Sequence, residues 1–338
     1  MEIKEAYITN LVCHHFSMDT TKCLVNNSEM NLTDMDIETL KDFFIRPFAK
    51  IKTEYTFMHP VNLSYNIVYQ SSLNVLKNKD FIKASQDIFH HLQFVSTVPK
   101  IKSGDLFVTK IDDICMDGCY CEAIGIFKIE SKKDFIETYI DIKGNMQFAV
   151  KKGFAPNKID KACLIVFTKD IPRCFVIDSS KDSKFWYDNF LGVVPKVNKF
   201  TQSNAALKIF QGFISEKVSI EGDLIKGQRV NLINKCVEEL EKSDVVEIDK
   251  IAEAIFEESG LVDSFSEYRR MFEEKENMTF NASFELDKDA INISKTTRRI
   301  KLDETTEIYL MKAGNFIERG YDKQRGLNYY KIFFSKEK

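Results

Sequence analysis

The sequence predicts an α+β protein with a mixed helix and antiparallel-sheet N-terminal half, a helical middle section and a C-terminal β module. Three observations point there. Apolar residues recur every three to four positions before residue 99 and again between 202 and 275. They follow strand-like patterns from Gly104 to Asp178 and beyond Met278. The change of period falls at Pro99-to-Gly104, where helix-stopping and turn-forming residues cluster. The expected organisation is therefore an α+β domain over 1–200, a helical section over 201–278 and a β module over 279–338.

The elements follow in order. A short strand is expected at Ala6 to His14. Thr33 with Asp36 reads as a helix cap, and Ile37, Leu40 and Phe44 line one face until Pro47. A second helix covers Asn66 to Leu76. A third starts from Asp80 as N-cap, buries Phe81, Ile88, Leu92 and Val95, and stops at Pro99. Two β-rich runs flank Met116-Asp117-Gly118, and Asp-Gly between such runs signals a tight hairpin. Strands are expected at Met146–Lys151, Lys161–Thr168 and Cys174–Asp178, then a short helix from Ser183 ending at Gly192. Four helices should follow: Gln202–Val218, one after Asp223, Ile248–Ser259 with Gly260 as terminator, and Phe265–Lys275 with Ser264 and Glu267 as a capping box. Alternating segments joined by Ala313-Gly314-Asn315 and Arg325-Gly326 end the chain.

Composition excludes several classes. With 44% apolar and 29% charged residues in 338, the chain can bury a core without staples, which excludes disorder, collagen-like repeats and a disulfide scaffold. The longest apolar runs, such as Ala162 to Phe167, are far shorter than the roughly 18 residues that cross a bilayer. Glu2 and Glu5 stand where a secretory signal would be basic, so a cytosolic location is expected. The eight cysteines, dispersed from Cys13 to Cys236, then read as small buried hydrophobes.

Catalytic signatures are weak. No GxxxxGK(S/T), GxGxxG or GxSxG occurs, so nucleotide and acyl-transfer sites have no sequence support. His14-His15 and His90-His91 are neighbours in sequence, which rarely lets a pair share one ion. Cys115, Cys119 and Cys121 lack the further ligands that a zinc centre needs. One pattern is sharper. Glu130-Ser131-Lys132 ends a strand expected beside Asp105, Asp112 and Asp113, and an Asp with Glu-x-Lys can hold Mg²⁺ in nucleases. A solvated hairpin edge looks the same, so the nuclease reading stands as the lesser alternative. No cofactor and no metal are expected.

The strongest physical signal is charge. Formal net charge is -3, yet residues 143–208 carry 12 basic and 5 acidic side chains. Candidate phosphate contacts in this block are Lys151, Lys152, Lys158, Lys161, Arg173, Lys181, Lys184, Lys196 and Lys199, interleaved with Phe148, Phe154, Phe185, Trp186, Tyr187 and Phe200. Arg298, Arg299 and Lys301 form a smaller patch. Such cations would bind duplex DNA with weak sequence preference.

The order of segments NLVCHHF, PKIKSGDLFVTKI, EAIGIFKIE, KFWYDNFLG, QSNAALKIFQGFI and FELDKDAINISKTTRRIKL resembles the bacterial 37-kilodalton nucleoid-associated protein family over nearly the whole chain. The resemblance implies a non-catalytic cytoplasmic protein that is found with the folded chromosome and associates with DNA. It carries over no defined base-reading residues. Recruitment through chromosome-associated or defence proteins is the alternative expectation, and homo-oligomerisation stays open.

Overall fold

A computed structural model of the protein describes residues 1–77, 80–97, 101–155, 158–169, 171–180, 184–218, 226–242, 244–256, 259–276, 278–291, 299–310, 317–334 and 336. These fall into two compact units, Met1–Lys196 and Val197–Lys338. The expected stop at Pro99, the starts at Ser183 and Asp223, and the turn at Ala313-Gly314-Asn315 lie outside the described residues.

The first unit is built on an antiparallel sheet of β1 (Tyr7–Phe16), β2 (Tyr55–Phe57), β3 (Gly104–Met116), β4 (Cys119–Ile129), β7 (Lys161–Val166), β8 (Arg173–Asp178) and β9 (Val193–Pro195), in the order β1-β3-β4-β7-β8-β2-β9. Helices α2 (Ile67–Leu76) and α3 (Phe81–Val95) cover one face. There Val68, Val75, Ile88, Phe89 and Leu92 pack on Val108, Ile126 and Ile165. Helix α1 (Asp34–Leu40), with the π-type and 3₁₀ turns that follow it, covers the other face. Phe44 stacks on Phe127 with ring centroids 4.3 Å apart, and Phe48 and Ile45 fill the same core. Because both faces are covered, β7 is buried at every position and its sequence is a continuous apolar run after Lys161.

Local signals account for the joints. Thr33 and Asp36 form the expected capping box. Asp117 (φ 51°) and Gly118 (φ 78°) make a two-residue turn between β3 and β4, the left-handed pair that a tight hairpin needs. Gly192 (φ 61°) ends the helical turn over Phe185–Leu191.

A hairpin absent from the sequence expectation joins β4 to β7. Its strands are β5 (Lys133–Ile140) and β6 (Met146–Gly153), which among the described residues pair only with each other. Only the second was expected.

The second unit packs α4 (Lys199–Phe213), α5 (Lys226–Glu241), α6 (Ile248–Ile255) and α7 (Ser259–Glu276) around Phe210, Phe213, Phe256 and Phe265. Among the described residues, short antiparallel pairs accompany them: β10 (Val245–Val246) with β11 (Phe284–Glu285), β12 (Arg299–Lys301) with β13 (Glu307–Tyr309), and β14 (Ile317–Asp322) with β15 (Leu327–Ile332). Two expectations need correction. Gly260 does not terminate α6; it lies in the first turn of α7, and it is not among the left-handed residues. Ser264 and Glu267 therefore stand inside a continuous helix, and no capping box forms there.

Candidate nucleic-acid interface

The β5–β6 arm is exposed along nearly its whole length. All eight residues of β5 are exposed, and β6 is exposed except at Ala149 and Gly153. Its register pairs Lys133 with Gly153, Asp134 with Lys152, Phe135 with Lys151 and Ile136 with Val150, then Glu137 with Ala149, Thr138 with Phe148, Tyr139 with Gln147 and Ile140 with Met146. Cross-strand partners share a face. One face therefore carries Lys133, Phe135, Lys151, Glu137, Ala149, Tyr139 and Gln147, and the other carries Ile136, Val150, Phe148, Ile140 and Met146 above Asp134 and Lys152. At the tip the Asp141 carboxylate accepts the backbone N–H groups of Lys143 (2.8 Å) and Asn145 (2.9 Å), which hold it below the usual carboxylate range. Gly144 at φ 81° closes that turn.

At the root of the arm, the ends of five sheet strands bring charged groups together. His15 Nδ1 lies 2.5 Å from Asp105 Oδ1, and Lys132 Nζ lies 2.8 Å from Asp105 Oδ2. Buried Lys128 donates to Glu130 (2.6 Å) and to the Lys102 carbonyl (2.7 Å), and loss of water pulls its pKa down. Lys161 Nζ donates to Asp178 Oδ1 (2.7 Å) and Ser180 Oγ (2.6 Å). Asp160 Oδ2 accepts the N–H groups of Glu130 (2.7 Å) and Ser131 (3.3 Å). These bonds satisfy buried charge and leave little for a ligand.

The Glu-x-Lys side chains and Asp105 are engaged in ion pairs. Glu130 is taken by Lys128, Lys132 turns to Asp105, and Asp112 pairs across to Tyr7 at the far end of β3. Among the described residues no three His, Cys, Asp or Glu side chains converge as metal ligands. All eight cysteines are free thiols, and burial pushes Cys13 up to about 12, far from a reactive thiolate. His14 is buried, with Nε2 3.2 Å from Ser85 Oγ and Nδ1 accepting the Asn26 N–H at 3.1 Å; burial lowers it to about 4.

The structure separates the cations selected from the sequence. Lys151, Lys152, Lys158 and Lys184 are exposed; Lys151 pairs with Glu137, and Lys184 is one turn from Asp188. Lys161 faces inward. Arg173 binds Glu54 and Asp117 at the opposite end of the sheet, where Lys196 also lies 3.6 Å from Glu54. Lys199 is exposed in the first turn of α4, in the second unit, and Arg299 pairs with Glu307 at 2.5 Å. Lys181 and Arg298 lie outside the described residues. Trp186, Phe185 and Tyr187 belong to the core, whereas Phe148 is exposed on the arm. Lys132 sits over the Phe154 ring at 5.2 Å. Lys133 and Lys143, both exposed on the arm, were missed as contacts; Lys133 precedes residue 143, where the charge balance turns positive.

A family model described as nucleoid-associated protein YejK, NA37, matches residues 14–320. The chain belongs to this family. The YejK family gives the protein a nucleoid-associated role, in agreement with the resemblance read from segment order. No curated protein matches the chain as an individual relative. No helix among the described residues is long and apolar enough to cross a membrane.

Proposed function

We propose that this YejK-family protein associates directly with duplex DNA, without catalysis and with weak sequence selectivity, through lysines of the β5–β6 arm and its root. The observation that carries this reading is their availability. Lys133, Lys143, Lys152 and Lys158 are exposed and make no ion pair among the described residues, whereas Lys161, Arg173 and Arg299 are held by carboxylates. Residues 132–158 contain six Lys against Asp134, Glu137 and Asp141, a local charge of +3 on a chain of net -3. An ammonium on a flexible stem contacts phosphate as a point charge, and phosphate contact fixes position without reading sequence.

Four such contacts give a log-affinity slope of about -3.6 against log salt, or roughly a hundredfold loss between 50 and 200 mM salt. The test is fluorescence anisotropy with a short duplex, comparing wild type with the triple variant Lys133→Ala, Lys143→Ala, Lys158→Ala. The slope should become shallower by about 3 and low-salt affinity should drop at least tenfold. Unchanged affinity and slope would overturn direct contact and leave recruitment by another protein.

A further inference from the structure

The arm's second face is unexplained by phosphate contact. Ile136, Ile140, Met146, Phe148 and Val150 lie on it, between 59% and 74% exposed, with Thr138 at its centre. Five large side chains at that openness present roughly 600–700 Å² of apolar surface, more than a monomer usually leaves uncovered in one patch and close to the ~800 Å² that each partner contributes to a standard interface. A lone two-stranded ribbon is also marginal in water, so a cover on this face stabilises the arm itself.

We propose that the cover is the same face of a second copy of this chain. Two arms would stack face to face about a two-fold axis, as two layers of a small sandwich about 10 Å apart. Charge selects this occupant over a polyanion. The apolar patch itself carries no charge, and the two charged residues of the face, Asp134 and Lys152, are cross-strand partners at its root end that sum to zero, so a copy meets no like-charge barrier and the patch offers a phosphate no cation. Stacking of the apolar patch leaves Lys133 and Lys151 on the outward face and Lys152 at the root end, beyond the patch. Each dimer would then present two lysine-bearing ribbons, and it forms whether or not DNA is present.

Sedimentation velocity of the full chain at micromolar concentration, without DNA, tests this. Wild type should sediment at twice the monomer mass. The double variant Ile136→Glu, Phe148→Glu should be monomeric, with association weakened more than tenfold, while Trp186 emission reports an intact core. Tyr139→Glu with Gln147→Glu alters the opposite face and should stay dimeric. A monomeric wild type, a dimer that survives the first pair of substitutions, or equal loss in both variants overturns the proposal. A monomeric wild type whose DNA affinity collapses in the first variant would assign the face to DNA instead. The triple lysine variant should remain dimeric, so failure of the DNA reading and failure of this one are distinguishable.

Discussion

Lys161 separates a structural cation from a phosphate contact. Its side chain is 7% exposed and its ammonium lies 2.7 Å from an Asp178 carboxylate that is itself 1% exposed. Asp178 also accepts the Ser180 backbone N–H at 2.8 Å and hydroxyl at 2.6 Å, while its Oδ2 is buried without a partner among the described residues. Lys161→Met keeps the stem and removes the charge, so a buried carboxylate loses its counter-ion. That change costs about 3–5 kcal/mol in general, and the two remaining Ser180 bonds put the expectation near 3. With a urea m-value of about 2–3 kcal/mol/M, the midpoint should drop by roughly 1–1.5 M. Trp186, the single tryptophan, is buried in the first unit with its indole N–H 3.3 Å from the Ala162 carbonyl, so its emission follows this unit alone. Adding Asp178→Asn should recover about half the loss, because the stranded charge is gone. Duplex affinity of the folded variant should stay within twofold of wild type. An unmoved midpoint with weakened DNA binding would refute the reasoning and place Lys161 on the binding surface.

Other outcomes follow from the same geometry. Folding depresses His14 to about 4 from the usual 6.5, so the native state favours the neutral ring; stability is full above pH 6.5 and drains as pH falls to 4, by up to about 3 kcal/mol, and His14→Gln should flatten that part of the urea-midpoint profile. Arg173→Ala removes the 2.9 Å bond to Glu54 and leaves a largely buried carboxylate, costing about 2–3 kcal/mol by the same emission assay with duplex affinity unchanged. Asn66 caps α2 by accepting the Tyr69 N–H at 2.9 Å and donates to the Leu191 and Gly192 carbonyls, so Asn66→Ala should cost about 2–3 kcal/mol in thermal or urea unfolding.

Much of the fold was legible because its signals are local. Asp117-Gly118 supplies a left-handed pair, Thr33 and Asp36 bond reciprocally, and Gly192 ends a helical turn. The first strand of the arm was not legible. Phe135, Ile136, Tyr139 and Ile140 are adjacent apolar pairs four residues apart, and both faces of β5 carry apolar groups, so no period of two stands out. Gly260 misled for a related reason: glycine marks a helix end only where the backbone turns left-handed, which residue type alone does not reveal.

The candidate site was legible as a charged block and illegible as a surface. Lys161 and Lys158 look alike in the sequence, yet register sets Lys161 opposite Asp178, seventeen residues away and already buried. Lys128 shows the same inversion beside Glu130. A lysine at the head of the run ACLIVF, whose strand is wholly buried, is the one hint that its charge would be met inside.

Amine-reactivity footprinting measures directly which ammonium groups face DNA. With saturating duplex at low salt, acetylation of Lys133, Lys143, Lys152 and Lys158 should be suppressed several-fold, Lys196 should react as before, and Lys161 should stay unreactive with or without DNA. Arm lysines that keep full reactivity while others become protected would contradict the account.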